Sequence, residues 1–185
     1  MNVFFIRHGF SIANATHYGI YPDVQSDLYD CELTKTGIQK SIEIGRTFDK
    51  KIDYIFCSTM TRAIQTAYFM FLGQPINIIN HIKEINDNFL RQPIKKLRQI
   101  QKTCPNIHLN AECLFTRDAS STDFNQFLKF LDHIEGAKNI VVVTHSMYMH
   151  KNLNIEIPNN NSIYQFRYEN QNLTFVKKIN NGHIF

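Results

Sequence analysis

The length and the charge of this chain exclude several classes of protein. Its 185 residues fit a single domain, and the 43% of hydrophobic and 19% of charged residues are typical of a globular protein rather than a disordered or fibrous one. The formal net charge of +4 is too small to indicate a nucleic-acid-binding protein, although it is compatible with an anionic substrate.

The cysteines and the apolar runs indicate the cellular compartment in which the protein is expected. The four cysteines lie far apart and form no CxxC pair, so we expect no disulfide bonds and a reducing cytosol. The chain begins with an apolar, strand-like run rather than a charged segment with a cleavage site. The apolar run at 140–143 is far shorter than the ~18 residues of a membrane span. We therefore expect a soluble, cytoplasmic protein with no membrane and no nucleic acid among its partners.

Short apolar runs predict the strands of a central sheet. Residues 3–6 and 140–143 are unbroken apolar runs rich in β-branched or aromatic side chains, which predicts strands buried on both faces. Residues 54–57 and 76–79 are weaker runs of the same kind.

Helical periodicity separates these runs. Thr34 is the predicted N-cap of a helix with apolar residues on one face, and residues 62–72 carry apolar side chains at four-residue steps. Residues 124–134 fit the amphipathic helix pattern closely, with Ser121 or Thr122 as the predicted cap.

The order of these segments predicts the fold class. Strands that alternate with helices favour an α/β fold with a mostly parallel sheet and helices on both sides. Two alternating segments at 163–168 and 173–179 predict a β-hairpin at an edge of that sheet. Residues 86–122 show no strand pattern, and we interpret them as an insertion or lid.

Five polar side chains follow the predicted strands. Arg7 and His8 come directly after the first strand, and His145 follows the strand at 140–143. Arg62 lies within one helical turn of the strand that ends near residue 58, and Glu84 follows the fourth strand. Open α/β sheets bind ligands at the carboxyl ends of their strands, so these side chains are expected to converge on one crevice.

Such a set of side chains suits phosphoryl transfer. Two guanidinium groups form a permanently cationic pocket for a phosphate, and a neutral imidazole can attack phosphorus and hold the phosphoryl group covalently. A nearby carboxylic acid can protonate the leaving oxygen and then accept a proton from water. No metal is required, because the arginines supply the compensating charge.

Five sequence blocks resemble the motifs of one protein family. A single RHG tripeptide recurs by chance, but these blocks occur in the family's order and span most of the chain. The chain is therefore similar to the histidine phosphatase superfamily, the phosphoglycerate-mutase-like proteins. The blocks are FIRHGFSIAN at 5–14, LTKTG at 33–37, CSTMTRAIQTA at 57–67, IKEI at 82–85 and VTH at 143–145.

The resemblance implies roles for the matching residues. His8 would be the nucleophile that forms a phosphohistidine, and Glu84 would be the proton donor. The phosphoryl group would be bound by Arg7, Ser11, Asn14, Arg62 and His145. The implied fold is one histidine-phosphatase-like domain over 1–185, a three-layer α/β/α sandwich with a mostly parallel central sheet and an inserted helical lid at 86–122.

The resemblance also implies the reaction. We expect a metal-independent phosphomonoesterase that hydrolyses a small phosphorylated substrate through His8, with no cofactor. A phosphoglycerate-mutase-type phosphotransferase is the second hypothesis, because the basic, tyrosine-containing segment that holds bisphosphoglycerate in cofactor-dependent mutases has no equivalent here. A catalytically inactive phosphate-binding module is the third. The C-terminal hairpin can pair with a second copy of the chain, so a homodimer stays open.

Two positions depart from the family's pattern. Phe10 stands where many members have a polar residue, which favours a less polar pocket rim and substrate. Ser146 replaces the glycine that is common after the second histidine. These departures affect the expected range of substrates more than the expected type of reaction.

Several residues permit a second interpretation. Glu112, Asp118 or Asp123 could supply the acid in place of Glu84. His8, His145 and Glu84 also have the ligand types of a catalytic zinc site, but two arginines beside them would oppose a divalent cation. Cys57 and Arg62 have four residues between them, whereas a cysteine phosphatase loop needs five. A basic stripe at helical spacing is either a solvated helix face or a contact for a second anionic group, and it comprises Arg91, Lys95, Arg98 and Lys102.

Overall fold

The computed structural model describes residues 1–21, 28–85, 94–109 and 123–182. Its strands are β1 (Asn2–Arg7), β2 (Tyr54–Ser58), β3 (Ile76–Ile79), β4 (Ile107–Leu109), β5 (Asn139–Thr144), β6 (Ile163–Glu169) and β7 (Asn172–Asn180). Its helices are α1 (Ile12–His17), α2 (Lys35–Thr47), α3 (Thr61–Met70), α4 (Ile94–Thr103), α5 (Phe124–Asp132) and α6 (Ser146–Leu153), with a 3-10 turn at Asn80–Ile82. Among the helices within these ranges, none is both long enough and apolar enough to cross a membrane.

The strands form one seven-stranded sheet in the order β4-β3-β2-β5-β1-β6-β7. Strands β1 to β5 pair in parallel with their neighbours, and β6 pairs antiparallel with both β1 and β7. The mostly parallel sheet and its edge hairpin are therefore confirmed. Because β6 is antiparallel to β1, the first residue of β6 lies beside the last residues of β1.

The two central strands are apolar on both faces. Residues 3–6 of β1 and 140–143 of β5 are completely buried. Alternate side chains contribute to opposite cores: Phe4 and Val141 belong to one hydrophobic cluster, whereas Phe5 and Val142 belong to the other. When a strand has a hydrophobic core on each side, both faces need apolar side chains, and this explains the unbroken apolar runs.

Helices cover both faces of the sheet. Ile44 of α2, Ile64 of α3 and Leu97 of α4 pack into one cluster, whereas Phe127 of α5 and Tyr148 of α6 pack into the other. This arrangement confirms the three-layer α/β/α sandwich.

The expectation that the stretch at 86–122 holds no strand is wrong. Its described part contains α4 and the edge strand β4, which pairs with β3 in parallel. Leu97 and Ile107 are buried in the core, so residues 94–109 belong to the sandwich itself. A three-residue strand carries too little pattern to be detected from sequence. Residues 86–93 and 110–122 lie outside the described residues, and a lid built from them stays a prediction.

A close backbone contact fixes α2 against the loop that follows β1. Thr34 caps α2 by accepting a hydrogen bond from the backbone N–H of Gly37, as predicted. The backbone N–H and the hydroxyl of Thr34 both donate to the carbonyl oxygen of Phe10. A Cβ at Gly37 would lie 2.1 Å from that same oxygen, so only glycine allows this approach.

Candidate active site

The carboxyl ends of β1, β2 and β5 meet at one edge of the sheet, where a pocket of about 440 Å³ opens. Six of the seven predicted site residues line this pocket: Arg7, His8, Ser11, Asn14, Arg62 and Glu84. The seventh, His145, is completely buried next to it, with its ring centroid 5.2 Å from that of His8. The structure therefore brings all of the predicted site residues together.

Hydrogen bonds determine which nitrogen of His8 carries its proton. Nδ1 lies 2.8 Å from the carbonyl oxygen of Gly9, and a carbonyl can only accept. Nδ1 is therefore protonated, and Nε2 carries a lone pair that accepts a hydrogen bond of 3.2 Å from Nε of Arg62. Burial, together with the charges of Arg62 and Arg7, lowers the pKa of His8 well below 6.5. The imidazole is consequently neutral at neutral pH.

Arg62 is positioned by the segment before α2. Its Nη1 donates to the carbonyl oxygen of Tyr29 at 2.8 Å. The neighbouring carboxylate of Asp30 accepts hydrogen bonds from the backbone N–H of Thr61 at 2.6 Å and from its hydroxyl at 2.8 Å. Asp30 thus caps α3, because the N-cap residue Met60 provides no side-chain hydrogen bond. The guanidinium and the start of its helix are fixed by the same loop.

Arg7 and His145 each present a buried nitrogen without a hydrogen-bond partner among the described residues. Nη1 of Arg7 donates to the carbonyl oxygen of Pro158 at 2.6 Å, but Nε has no partner. Nε2 of His145 lies 2.8 Å from the hydroxyl of Ser58, and Nδ1 has no partner. An unsatisfied buried polar group costs about 1–3 kcal/mol. Of these two atoms, one belongs to a residue that lines the pocket and the other to its buried neighbour, so both are candidates to contact a bound anion.

Burial also lowers the pKa values of these two residues. Desolvation is the main cause that lowers the pKa of Arg7, against the opposing charge of Glu84. The pKa of His145 is well below 6.5, first because of burial and then because of the charge of Arg62. The His145 ring is therefore neutral, like that of His8.

Glu84 combines a buried carboxyl group with two backbone hydrogen bonds. Its Oε1 accepts from the backbone N–H groups of Ile85 at 3.0 Å and Tyr148 at 3.1 Å. Burial raises the pKa of Glu84 above 4.5, although these hydrogen bonds and the charges of Arg62 and Arg7 oppose the shift. A carboxyl group with a raised pKa next to an anion pocket is suited to donate a proton.

Ser11 and Asn14 form the capping box of α1. The side chain of Ser11 accepts from the backbone N–H of Asn14, and Oδ1 of Asn14 accepts from the backbone N–H of Ser11 at 3.1 Å. The Ser11 hydroxyl donates to the same Oδ1 at 2.9 Å. Both side chains therefore have defined orientations at the pocket wall.

The structure corrects two expectations near the site. Phe10, expected at the pocket rim, is only 7% exposed, stacks against Tyr18 and does not line the pocket. The cap of α5 is Asp123, which accepts from the backbone N–H groups of Asn125 and Gln126, rather than Ser121 or Thr122. Because Asp123 is a helix cap, it is poorly placed to replace Glu84 as the acid.

Three alternative interpretations find little support in the described residues: a reactive Cys57, a basic stripe that contacts an anionic group, and a metal site. Cys57 is completely buried, and burial raises the pKa of its thiol, as expected for a structural cysteine. Arg98 and Lys102 are exposed on α4 while Leu97 is buried, which favours a solvated face for that part of the basic stripe. In the parts of the chain that the structure describes, no group of three or more His, Cys, Asp or Glu side chains could hold a metal ion. Glu112, Asp118 and Arg91 lie outside the described residues.

Sequence reasoning misses three polar residues that support the site. Ser58 contacts His145, and the hydroxyl of Thr66 accepts from the backbone N–H of Gly9 at 2.8 Å. Asn160 donates to the backbone at His8 and Gly9, although its run of asparagines resembles an ordinary loop. One signal could have found it: a residue just before an antiparallel strand beside β1 must lie near the end of β1.

Comparisons with known proteins agree with this fold. No curated protein matches the sequence. Among solved structures, the protein histidine phosphatase SixA in complex with tungstate is 17% identical with a TM-score of 0.63, over 97% of each chain. The alpha-ribazole phosphatase from Shigella flexneri is 18% identical with a TM-score of 0.63, over 98% of each chain. A mutant phosphoserine phosphatase from Entamoeba histolytica in complex with phosphoserine is 20% identical with a TM-score of 0.62, over 96% of this chain and 95% of that chain.

At these identities, the solved structures establish the similarity of the fold. The family is established by the sequence, which matches the model of the histidine phosphatase superfamily (branch 1) over residues 3–181. This match spans nearly the whole chain and includes every residue of the pocket described above. The protein therefore belongs to branch 1 of the histidine phosphatase superfamily.

Proposed function

We propose that the protein is a metal-independent phosphomonoesterase that works through a phosphohistidine on Nε2 of His8. The observation that carries this proposal is the tautomer of His8. The hydrogen bond from Nδ1 to Gly9 leaves the lone pair of Nε2 beside a cationic pocket, and the lowered pKa keeps that lone pair free of a proton. A neutral imidazole in this state is a nucleophile for phosphorus.

The phosphate group binds where buried donors lack partners. Nε of Arg7 donates to its oxygens, and Nδ1 of His145 does the same in the tautomer whose Nε2 accepts from the hydroxyl of Ser58. Nε of Arg62 moves from Nε2 of His8 to the phosphate. This shift frees the nucleophile only when an anion is present. The two guanidinium groups compensate the charge of the phosphate, which is the basis for proposing that no metal takes part.

In the first step, Nε2 of His8 attacks phosphorus. The P–N bond forms while the bond from phosphorus to the leaving oxygen breaks, and the carboxyl group of Glu84 gives its proton to that oxygen. The electrons of the broken bond remain with the leaving group, which departs as an alcohol. Glu84 is then a carboxylate, and its charge is balanced by Arg62 and Arg7, which already interact with it.

In the second step, water attacks the phosphohistidine from the vacated leaving-group side. Glu84 accepts a proton from this water as its oxygen bonds to phosphorus and the P–N bond breaks. His8 recovers its neutral form, Glu84 recovers its proton, and inorganic phosphate leaves. The same carboxyl group thus serves as acid and then as base.

The apolar part of the pocket wall suggests the leaving group. Ala13, Leu28 and Ile85 line the pocket beside the polar residues. We therefore propose a substrate whose leaving group is apolar or aromatic rather than a second anion.

Replacing the nucleophile tests the mechanism. In His8→Ala we expect hydrolysis of p-nitrophenyl phosphate to fall by about 10⁴-fold or more, because the atom that forms the covalent bond to phosphorus is removed. The matched control is His133→Ala, which removes an exposed histidine at the end of α5. Rapid quenching with ³²P-labelled substrate should trap an acid-labile phosphoprotein in the control and not in His8→Ala, and EDTA should leave turnover unchanged. Normal activity of a folded His8→Ala protein would exclude the mechanism, and an inactive wild-type protein would favour a phosphate-binding module.

A further inference from the structure

The loop before β6 hydrogen-bonds to β1 beyond the last paired residues of these two strands, at the end of β1 that leads to His8. Pairing between β1 and β6 ends at Ile6 and Ile163. Beyond that point, the backbone N–H of Arg7 donates to the carbonyl oxygen of Ser162 at 3.2 Å. The backbone N–H of Asn161 lies 3.1 Å from the carbonyl oxygen of Arg7. The loop therefore continues the hydrogen bonding of the sheet as far as the nucleophile.

The side chain of Asn160 extends this contact past His8. Its Nδ2 donates to the carbonyl oxygen of His8 at 3.0 Å and to that of Gly9 at 3.1 Å. Asn160 is 2% exposed, and the orientation of its amide is unambiguous because backbone carbonyls only accept. The carbonyl of Gly9 is also the acceptor for Nδ1 of His8. Asn160 thus holds the oxygen that determines the tautomer of His8.

The same amide determines the orientation of Asn14. Nδ2 of Asn160 lies 3.1 Å from Oδ1 of Asn14, which also accepts from Ser11. Because Oδ1 of Asn14 is occupied by these donors, Nδ2 is the end of that amide left for an acceptor in the pocket. One buried side chain therefore connects two groups that face the substrate.

The local backbone supports this arrangement. Asn161 has a φ of +61°, in the left-handed region, and is 1% exposed. Its side chain donates to the hydroxyl of Ser41 on α2 at 3.0 Å. A turn of this kind, anchored to a neighbouring helix, directs Asn160 towards β1 instead of solvent.

We propose that Asn160 is a positioning residue, whose amide keeps Nε2 of His8 and Nδ2 of Asn14 directed at the substrate. The proposal rests on the proposed function for its catalytic meaning, but its structural content is independent of activity. Asn160 touches neither the substrate nor the reacting atoms. It acts through the Gly9 carbonyl and the Asn14 amide.

Asn160→Asp tests the proposal, because aspartate has nearly the same shape but fewer donors: an ionised carboxylate has none, and a protonated carboxyl group has one O–H where the amide has two N–H groups. At most one of the three acceptors, which are the carbonyls of His8 and Gly9 and Oδ1 of Asn14, could then keep its hydrogen bond, and the other contacts would become repulsive. We expect kcat for p-nitrophenyl phosphate to fall about 10–100-fold, as for a small displacement of a nucleophile. The matched control is Asn159→Asp, which places the same charge in the same loop, where the side chain donates to the carbonyl of Asn181 instead of the backbone at His8. This control should retain the wild-type kcat.

A spectroscopic readout separates positioning from general destabilisation. The ¹⁵N chemical shifts of the His8 imidazole, assigned by their absence in His8→Ala, report which nitrogen is protonated. We expect a single Nδ1–H tautomer in the wild-type protein and in Asn159→Asp, and a mixture in Asn160→Asp. If Asn160→Asp does not fold, Asn160→Ser, which keeps a small donor, should lie between the wild type and a full loss.

The outcomes distinguish this proposal from the proposed function. A folded Asn160→Asp protein with wild-type kcat and an unchanged His8 spectrum would overturn the positioning role. An inactive wild-type enzyme whose His8 tautomer still changes in Asn160→Asp would support positioning while contradicting the phosphatase assignment.

Discussion

Burial shifts the pKa values of the proposed nucleophile, His8, and of the proposed proton donor, Glu84, in opposite directions. Desolvation lowers the pKa of His8, with Arg62 and Arg7 adding to the effect, and it raises the pKa of Glu84. In both cases the neutral form is favoured, because a buried charge loses its hydration. The proposed reaction needs this combination of a free imidazole lone pair and a protonated carboxyl group.

These shifts predict how turnover depends on pH. Turnover should fall on the acidic side when His8 gains a proton, below its usual pKa of 6.5, and on the alkaline side when Glu84 loses its proton, above 4.5. Glu84→Gln should abolish the alkaline limb. It should also lower kcat for alkyl phosphates about 10²–10⁴-fold, with a smaller effect on p-nitrophenyl phosphate, whose leaving group needs less protonation.

A matched variant controls the Glu84 experiment. Glu135→Gln removes an exposed carboxylate outside the pocket and should leave both limbs of the kcat profile in place. If the alkaline limb persists in Glu84→Gln, another group supplies the proton, and Glu112 or Asp118 would be the next residues to replace.

At the scale of secondary structure, the sequence predicts elements whose burial is visible in local pattern. The run at 76–79 coincides with β3. The alternating segments near the C-terminus coincide with β6 and β7, and every predicted end lies within one residue of the observed end. Strand β4 has three residues, and helix α6 carries little contrast between its faces, so the pattern predicts neither. Local pattern predicts long amphipathic or fully apolar elements better than short ones.

The site residues divide in the same way. Those in sequence blocks are predictable, whereas Asn160 is not, because its partners lie about 150 positions away and its neighbours are also asparagine. Its position beside His8 comes from the antiparallel direction of β6, which is a property of the sheet. No local pattern contains that information.

Gly37 provides a test of how one helix supports the site. Gly→Ala inside a helix usually stabilises it by roughly 0.5–1 kcal/mol. Here the new Cβ would meet the carbonyl oxygen of Phe10 at 2.1 Å, which forces α2 away from the loop that carries His8. We expect Gly37→Ala to lower the free energy of unfolding by about 1–3 kcal/mol, measured by urea titration, and to reduce kcat.

The control for Gly37→Ala lies in the same helical turn. Thr36 is exposed, so Thr36→Ala should leave the free energy of unfolding unchanged or raise it slightly. Stabilisation of the protein by Gly37→Ala would show that α2 does not need its close contact with Phe10.

Over the whole molecule, the pocket is assembled from distant parts of the chain. Arg62 contacts His8 across 54 positions, His145 contacts Ser58 across 87, and Asn160 contacts His8 across 152. The sheet order places β1 between β5 and β6, so that these segments meet. The polar side chains of the pocket therefore come together through the order of the strands in the sheet and not through proximity in the sequence.

The apolar part of the pocket wall predicts which phosphate esters the protein prefers as substrates. Among the lining residues that the structure describes, the cations are Arg7 and Arg62, and both are assigned to the transferring phosphate. A substrate carboxylate would therefore have no cation of its own among these lining residues. We expect kcat/KM for phenyl phosphate to exceed that for phosphoserine by about tenfold or more, because the phenyl ring buries apolar surface against Leu28 and Ile85. Ile85→Arg should reduce this ratio by supplying a partner for the carboxylate, whereas Ile157→Arg, at a position 59% exposed outside the pocket, should leave it unchanged. A wild-type preference for phosphoserine would contradict the proposed apolar leaving group while leaving the role of His8 intact.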